Sequence, residues 1–279
     1  MSFETLSSSK SHGGVQLVCR HSSRETGTEM TFAVFLPPQA RTRACATLTY
    51  LSGLTCTHAN VVEKGEYRAA AAEFGLIIVC PDTSPRGPGV PDDDAYDFGQ
   101  GAGFYVDATE ALWSRHFRMY SYITSELPAL VRAEFPADAS RHGIFGHSMG
   151  GHGALTIALR GAGAYRSVSA FSPIVAPSQV PWGRKAFAGY LGQDEQRWRA
   201  HDTVALLEDG YRVNEILVDV GTADQFLERE LRPELLETAC ERADVALTLR
   251  RQPGYDHSYF FISTFMRDHI AWHATRLAS

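Results

Sequence analysis

Residues 141–160 read RHGIFGHSMGGHGALTIALR. Residues 142–146 form a short apolar strand pattern, and from Met149 to Arg160 the apolar residues recur at helical spacing. Gly146-His147-Ser148-Met149-Gly150 at the junction is a G-x-S-x-G pattern, placed where a strand turns sharply into a helix. Such a turn forces Ser148 into strained backbone angles, and glycines at 146 and 150 remove side chains that would collide there. The serine hydroxyl is then presented at a helix start, where backbone N–H groups can stabilise negative charge. G-x-S-x-G arises by chance in long chains, so the weight of the motif comes from its position between strand and helix.

Outward from this junction, runs rich in β-branched residues predict strands at 15–21, 30–37, 46–52, 76–80, 142–146, 167–171, 215–221 and 246–252. Helical spacing predicts helices at 66–74, 120–135, 149–160, 227–242 and 258–274, with Pro128 kinking the second. Strands alternate with helices from Ala46 onward, which predicts a mostly parallel sheet with helices on both faces. The first two strands, joined by ETGTE at 25–29, read as an antiparallel hairpin at one edge. The expected architecture is a single α/β domain over residues 1–279, of the α/β-hydrolase fold. Stretches 81–103 and 172–184 hold too many chain breakers for an element. Each follows a strand, so both should leave the carboxyl edge of the sheet, where open α/β sheets bind ligands.

Composition narrows the class. Apolar residues make up 44% of the 279 residues and charged ones 21%, a balance that supports a sizeable core. The net charge of −6 argues against non-specific nucleic-acid binding, which needs a basic surface. The cysteines Cys19, Cys45, Cys56, Cys80 and Cys240 are odd in number and lack metal-ligand spacing. The N-terminal MSFETLSSSKSHGG lacks the apolar stretch of a secretion signal, and no apolar run reaches membrane-helix length. A cytoplasmic protein with free thiols, no membrane attachment and no bound metal is expected.

An elbow serine needs a base and an acid, which follow it in the order Ser, Asp/Glu, His. Of the later histidines, His152 lies on the elbow helix, and His269 and His273 make a helix face. His257, in QPGYDHSYF, falls on the turn between the last strand and the last helix, from which it can reach Ser148. Asp224 sits on the loop after EILVDVG, whereas Asp219 lies within that strand and Asp256 points away from its neighbour. The expected constellation is therefore Ser148 as nucleophile, His257 as base and Asp224 as the group that orients the imidazole. The amide of Met149 is one oxyanion donor. The second comes from the loop after an early central strand, LSGLTC at 51–56.

LSGLTCT, PDTSPRG, DFGQGAGFYVDAT, FGHSMGGHGAL, PWGRKAF, GYLG, DQFL and GYDHSYFFI, in order along the chain, resemble the S-formylglutathione hydrolase (esterase D) family. The resemblance implies a cytoplasmic, cofactor-free enzyme, commonly a homodimer. Such an enzyme hydrolyses S-formylglutathione to formate and glutathione in formaldehyde removal, and it cleaves small activated esters. It implies the same triad of Ser148, Asp224 and His257, and oxyanion donors at the amides of Leu54 and Met149. It also places at Cys56 a thiol that makes such enzymes sensitive to thiol reagents.

A formyl thioester asks for a small acyl pocket, for which Trp182 and Phe104 are candidate walls, each equally able to be core. Glutathione carries carboxylates, for which Lys64, Arg86, Arg184 and Lys185 are candidate partners. Cys56 reads as a nearby, non-catalytic thiol, and Asp92–Asp94 as a solvated acidic loop rather than a cation site. The rival readings are a general carboxylesterase or acyltransferase on the same fold, and a catalytically inactive scaffold. All triad members are present, which weighs against the scaffold.

Overall fold

Strand residues point alternately to opposite faces, so an apolar run buried on both sides feeds two separate cores. A computed structural model describes residues 3–278 of the chain. Its elements are β1 (Glu4–Ser11), β2 (Gly14–Ser22), β3 (Glu29–Leu36), β4 (Cys45–Leu51), α1 (His58–Lys64), α2 (Arg68–Phe74), β5 (Ile77–Pro81), α3 (Met119–Ser121) and α4 (Leu127–Glu134). They continue with β6 (Ala137–His147), α5 (Met149–Arg160), β7 (Ser167–Phe171), α6 (Pro181–Leu191), α7 (Glu195–Trp198), α8 (Thr203–Glu208), β8 (Glu215–Gly221), α9 (Pro233–Ala243), β9 (Ala246–Gln252) and α10 (Tyr259–Leu277). In β3, Phe32 and Val34 enter one core while Ala33 and Phe35 enter the other. In β5 the same split puts Ile77 and Val79 against Ile78 and Cys80. The first core is completed by α4, α5, α6, α8 and α9, the second by α1, α2 and α10. This is the α/β-hydrolase fold expected from the sequence.

The sheet has nine strands in the order β1-β2-β3-β5-β4-β6-β7-β8-β9. β1, β2, β3 and β5 pair antiparallel in turn, and every pairing from β5 through β4 to β9 is parallel. β4 lies between β5 and β6, so the chain leaves β4 toward one side and returns on the other. The carboxyl ends of β4 and β6 flank this switch point, where a crevice opens in sheets of this kind.

Several expectations need correction. The β2–β3 hairpin is not at the edge, because β1 pairs outside it from Glu4↔Arg20 to Ser11↔Gly14. The sequence of β1, ETLSSSKS, is polar and almost wholly exposed, so it carries no apolar alternation to read. β6 begins at Ala137, and its polar first residues hide its length. The helix expected over 227–242 is broken. A π-type turn, Leu227–Leu231, ends at Arg232 in the left-handed region (φ 52°), and Pro233 starts α9. The helix expected over 120–135 runs on through α3, a π-type turn at Tyr122–Glu126 and α4 with helical backbone at each junction, and Pro128 sits just after the π-type turn. Part of the stretch 172–184 is helical, since α6 starts at Pro181. α1 was missed because it is only seven residues long; Thr57 and Asn60 hold its start as a reciprocal cap.

His269 and His273 do share a helix face, and that face is buried against the sheet. Ser169 Oγ bridges them, 2.8 Å from His269 Nδ1 and 2.8 Å from His273 Nε2. Asp219 stays within β8 and is held by Arg250, with both N–O distances at 2.6 Å. Among the described residues no helix is long and apolar enough to cross a membrane.

Candidate active site

Ser148 joins β6 to α5 with φ 57° and ψ −118°, a conformation that L-residues adopt only under constraint. Three contacts supply the constraint. The Ser148 amide donates to the Phe171 carbonyl on β7 at 2.9 Å, and its own carbonyl accepts the His152 amide at 3.0 Å. A β-carbon on Gly146 would lie 2.3 Å from the Gly150 carbonyl oxygen, and one on Gly150 would lie 2.0 Å from that of Leu51. Only glycine lets the elbow pack so closely on β4. His152 is buried and pairs through Nε2 with the Phe104 carbonyl, a packing role.

Asp224 and His257 come from the loops after β8 and β9, neighbouring strands whose carboxyl ends lie on the elbow side. His257 Nδ1 is 2.6 Å from Asp224 Oδ2. Asp224 Oδ1 accepts the Phe226 amide at 2.9 Å, so both carboxylate oxygens are engaged in a fully buried side chain. A carboxylate only accepts, so Nδ1 carries the proton and Nε2 offers a lone pair. The imidazole is further fixed by Phe226, edge-on at 5.0 Å between centroids, and by His147 at 4.4 Å. Burial and the neighbouring His257 hold the His147 imidazole well below the usual histidine range, so this tilted ring stays neutral.

Ser148 and His257 line one cavity of about 280 Å³, together with Leu54, Cys56, Tyr96, Trp182, Phe226 and Tyr259. Asp256 does point elsewhere: it accepts from the Ser258 amide and hydroxyl at the start of α10.

Leu54 lies in a tight turn in which the Cys56 amide donates to the Gly53 carbonyl. The Thr55 amide donates to Gly101 at 2.9 Å, while the Leu54 amide has no protein acceptor among the described residues. Thr55 holds φ 66°, a left-handed position that costs a branched residue roughly 1–3 kcal/mol. The Met149 amide, at the first position of α5, is likewise outside the helical ladder. Two unspent N–H groups thus flank Ser148.

The remaining expected residues divide. Trp182 lines the cavity, edge-on to Tyr96 and tilted over Phe226 at 4.6 Å. Phe104 does not line it: the side chain is fully buried against His152 and Phe187. Lys185 is tied to Asp97 at 2.5 Å and Arg184 to Glu195 at 2.6 Å. Arg86 is turned inward onto Asp82 and the Cys56 carbonyl. Lys64 is exposed in the last turn of α1, near enough to Cys56 to favour its thiolate. In the acidic loop, Asp92 accepts the amides of Asp93 and Gln100, and Asp93 accepts that of Ala95. Sequence reasoning missed His147, Tyr96, Phe226 and Tyr259 as cavity lining. His147, Phe226 and Tyr259 lie within two residues of Ser148, Asp224 and His257 respectively and were findable; Tyr96 sits in a loop without periodicity.

Comparison with known proteins follows the geometry. The Esterase family model matches residues 23–272. The chain is 55% identical to the S-formylglutathione hydrolase of Paracoccus denitrificans, with 99% of each chain covered. It is 51% identical to the mouse enzyme of the same name, again over 99% of each. The solved structure of an S-formylglutathione hydrolase from Agrobacterium tumefaciens superposes with a TM-score of 0.97 at 57% identity, covering 98% of this chain and 99% of that one.

Proposed function

The chain belongs to the S-formylglutathione hydrolase (esterase D) family of serine hydrolases, and from that premise we propose that it hydrolyses S-formylglutathione to formate and glutathione. The observation that carries this reading is the near-full-length identity to hydrolases of that substrate, joined to a Ser148–His257–Asp224 site that opens on a small cavity.

Ser148 Oγ attacks the formyl carbon and passes its proton to the lone pair of His257 Nε2. Asp224 stabilises the imidazolium through Nδ1. The developing oxyanion is met by the amides of Leu54 and Met149, which are already in place and unspent. The glutathione thiolate leaves with little need for protonation, because a thiol pKa near ~8.5 is far below that of an alcohol. His257 gives up its proton to the departed thiolate or to solvent and is neutral again; water then attacks the formyl-serine with His257 as base, and the imidazolium returns that proton to Ser148 Oγ as formate leaves. The role is the closing hydrolysis of glutathione-dependent formaldehyde removal.

The cavity wall of Trp182, Phe226 and Leu54 favours the formyl group over larger acyl groups. S-formylglutathione is expected to exceed S-lactoylglutathione by at least ~100-fold in kcat/KM, about 2.7 kcal/mol of transition-state discrimination. Steady-state kinetics on both thioesters and an aryl acetate test it. Equal efficiencies would make the enzyme a general thioesterase.

Cys56 is placed to block this site without taking part in it. Burial raises its thiol above the ordinary range, with Lys64 opposing, so thiolate is scarce at neutral pH. Burial also raises Cys19 to about 11, Cys80 to about 12 and Cys240 to about 11, and it raises Cys45 as well. N-ethylmaleimide should therefore inactivate the enzyme slowly at pH 7 and faster as pH rises. Cys56→Ser should keep most activity and lose the sensitivity. Equal inactivation of the variant would assign the effect to another cysteine.

A further inference from the structure

The turn that carries the Leu54 amide is built from strained backbone, and something outside it must hold it. The Cys56 carbonyl, at the end of the turn, accepts two bonds. One comes from Thr83 Oγ1 at 2.6 Å, the other from Arg86 Nη2 at 3.0 Å. Arg86 is itself anchored, with Nε 3.1 Å from both carboxylate oxygens of Asp82. The side chain of Asp82 is 10% exposed, and its Oδ1 also accepts the Thr83 amide at 2.6 Å. From the other side, the Gly101 carbonyl takes the Thr55 amide, and the Gly101 amide is fixed by Ser84 Oγ at 2.7 Å. The stretch PDTSPRG, residues 81–87, therefore grips the turn at both ends of its strained residue.

We propose that Arg86, seated on Asp82, is a positioning residue for the oxyanion donor: it holds the Gly53–Cys56 turn so that the Leu54 amide points at the carbonyl attacked by Ser148. This rests on the reading above that the Leu54 amide meets the oxyanion. Arginine suits the task because its planar fork engages a carboxylate and a carbonyl at once, which the single ammonium of lysine does not. The turn is exposed at Thr55 and sits next to the cavity, so packing alone does not hold it.

The test uses Arg86→Met, Arg86→Lys and Thr83→Val, with Leu54→Pro as reference. Proline suits the second position of a turn and deletes the amide hydrogen, and Leu54→Ala, which keeps the amide but also loses the cavity-lining side chain, controls for that second loss. Loss of one oxyanion donor lowers kcat by roughly 10²–10³-fold, which is expected for Leu54→Pro. Arg86→Met should lower kcat by about 10–100-fold with KM within about threefold, part of that same loss. The inhibition constant of a trifluoromethyl ketone, whose hemiketal carries the oxyanion, should rise by the same factor as kcat falls. Arg86→Lys should restore part of both, and Thr83→Val should lower both by a smaller factor. The last two variants carry the test if Arg86→Met does not fold. Unchanged kcat in the Arg86 and Thr83 variants, beside a crippled Leu54→Pro, overturns the clamp and leaves the oxyanion reading standing. A raised KM with unchanged kcat overturns it in favour of a substrate contact. An active Leu54→Pro overturns both readings.

Discussion

Ser148→Ala is expected to lower kcat by roughly 10⁴–10⁶-fold while leaving the fold intact. The size follows from what is removed. On the proposed mechanism no formyl-serine forms without Oγ, which leaves only the residual acceleration over water from the oxyanion amides and the binding cavity. The intact fold follows from the geometry. The elbow is held by the Ser148 amide on Phe171 and by the close approach of Gly146 and Gly150 to β4, none of which involves the hydroxyl. Alanine meets the same backbone cost at φ 57° as serine, so the melting temperature should move by no more than a few degrees. Single-turnover assay and thermal melting of the purified variant check both halves. Activity within tenfold of the parent would move the nucleophile elsewhere.

Acid is expected to remove stability steeply below pH 6.5, through histidines that the fold keeps neutral. His147, His152 and His273 are all buried. Burial lowers His152 to about 4 and holds His147 and His273 well below their ordinary value of 6.5. The folded-state values lie below the unfolded one, so the unfolded chain binds these protons first. Stability from these groups is complete above pH 6.5 and is lost as pH falls toward the folded-state values. His152, at about 4 in the folded state, then costs about 2 kcal/mol by pH 5, and His147 and His273 add to the loss in the same direction. Asp82 and Asp202, raised by burial, oppose the trend only where carboxylates titrate. Urea unfolding from pH 8 to 5 with measured proton uptake tests this. A change below about 1 kcal/mol would mean that the histidines charge without unfolding.

The candidate site was more legible in the sequence than the fold around it. The elbow is a local device: a strand, two glycines and a helix within twenty consecutive letters specify its shape. The order of Asp224 and His257 after it follows from how strands and loops alternate. Buried parallel strands also announce themselves, because burial on both faces demands apolar runs, and β7 and β8 match their expected bounds, as does the half-exposed edge strand β9. The cavity wall was only half legible. Trp182 and Phe104 look alike as letters, and whether an aromatic ring meets substrate or core depends on packing between distant loops.

Sequence by itself determined the alternating α/β architecture and the strand-serine-helix elbow, which depend on residue types at short spacing, and it named Asp224 and His257 as candidate partners from their place after successive strands. Tertiary structure alone decided the rest. β1 exists because the exposed edge of β2 offers unpaired backbone groups to a polar segment without apolar period. The break at Arg232 is the exception, since Pro233 keeps the residue before it out of the helical region and so marks the break in the sequence. Arg86 reads as a free cation for substrate until the fold brings Asp82 and the Cys56 carbonyl against it, the latter from thirty residues away. Hydrogen bonds between segments so far apart leave no periodic trace, because each partner is satisfied by a group whose position is set only when the sheet has closed.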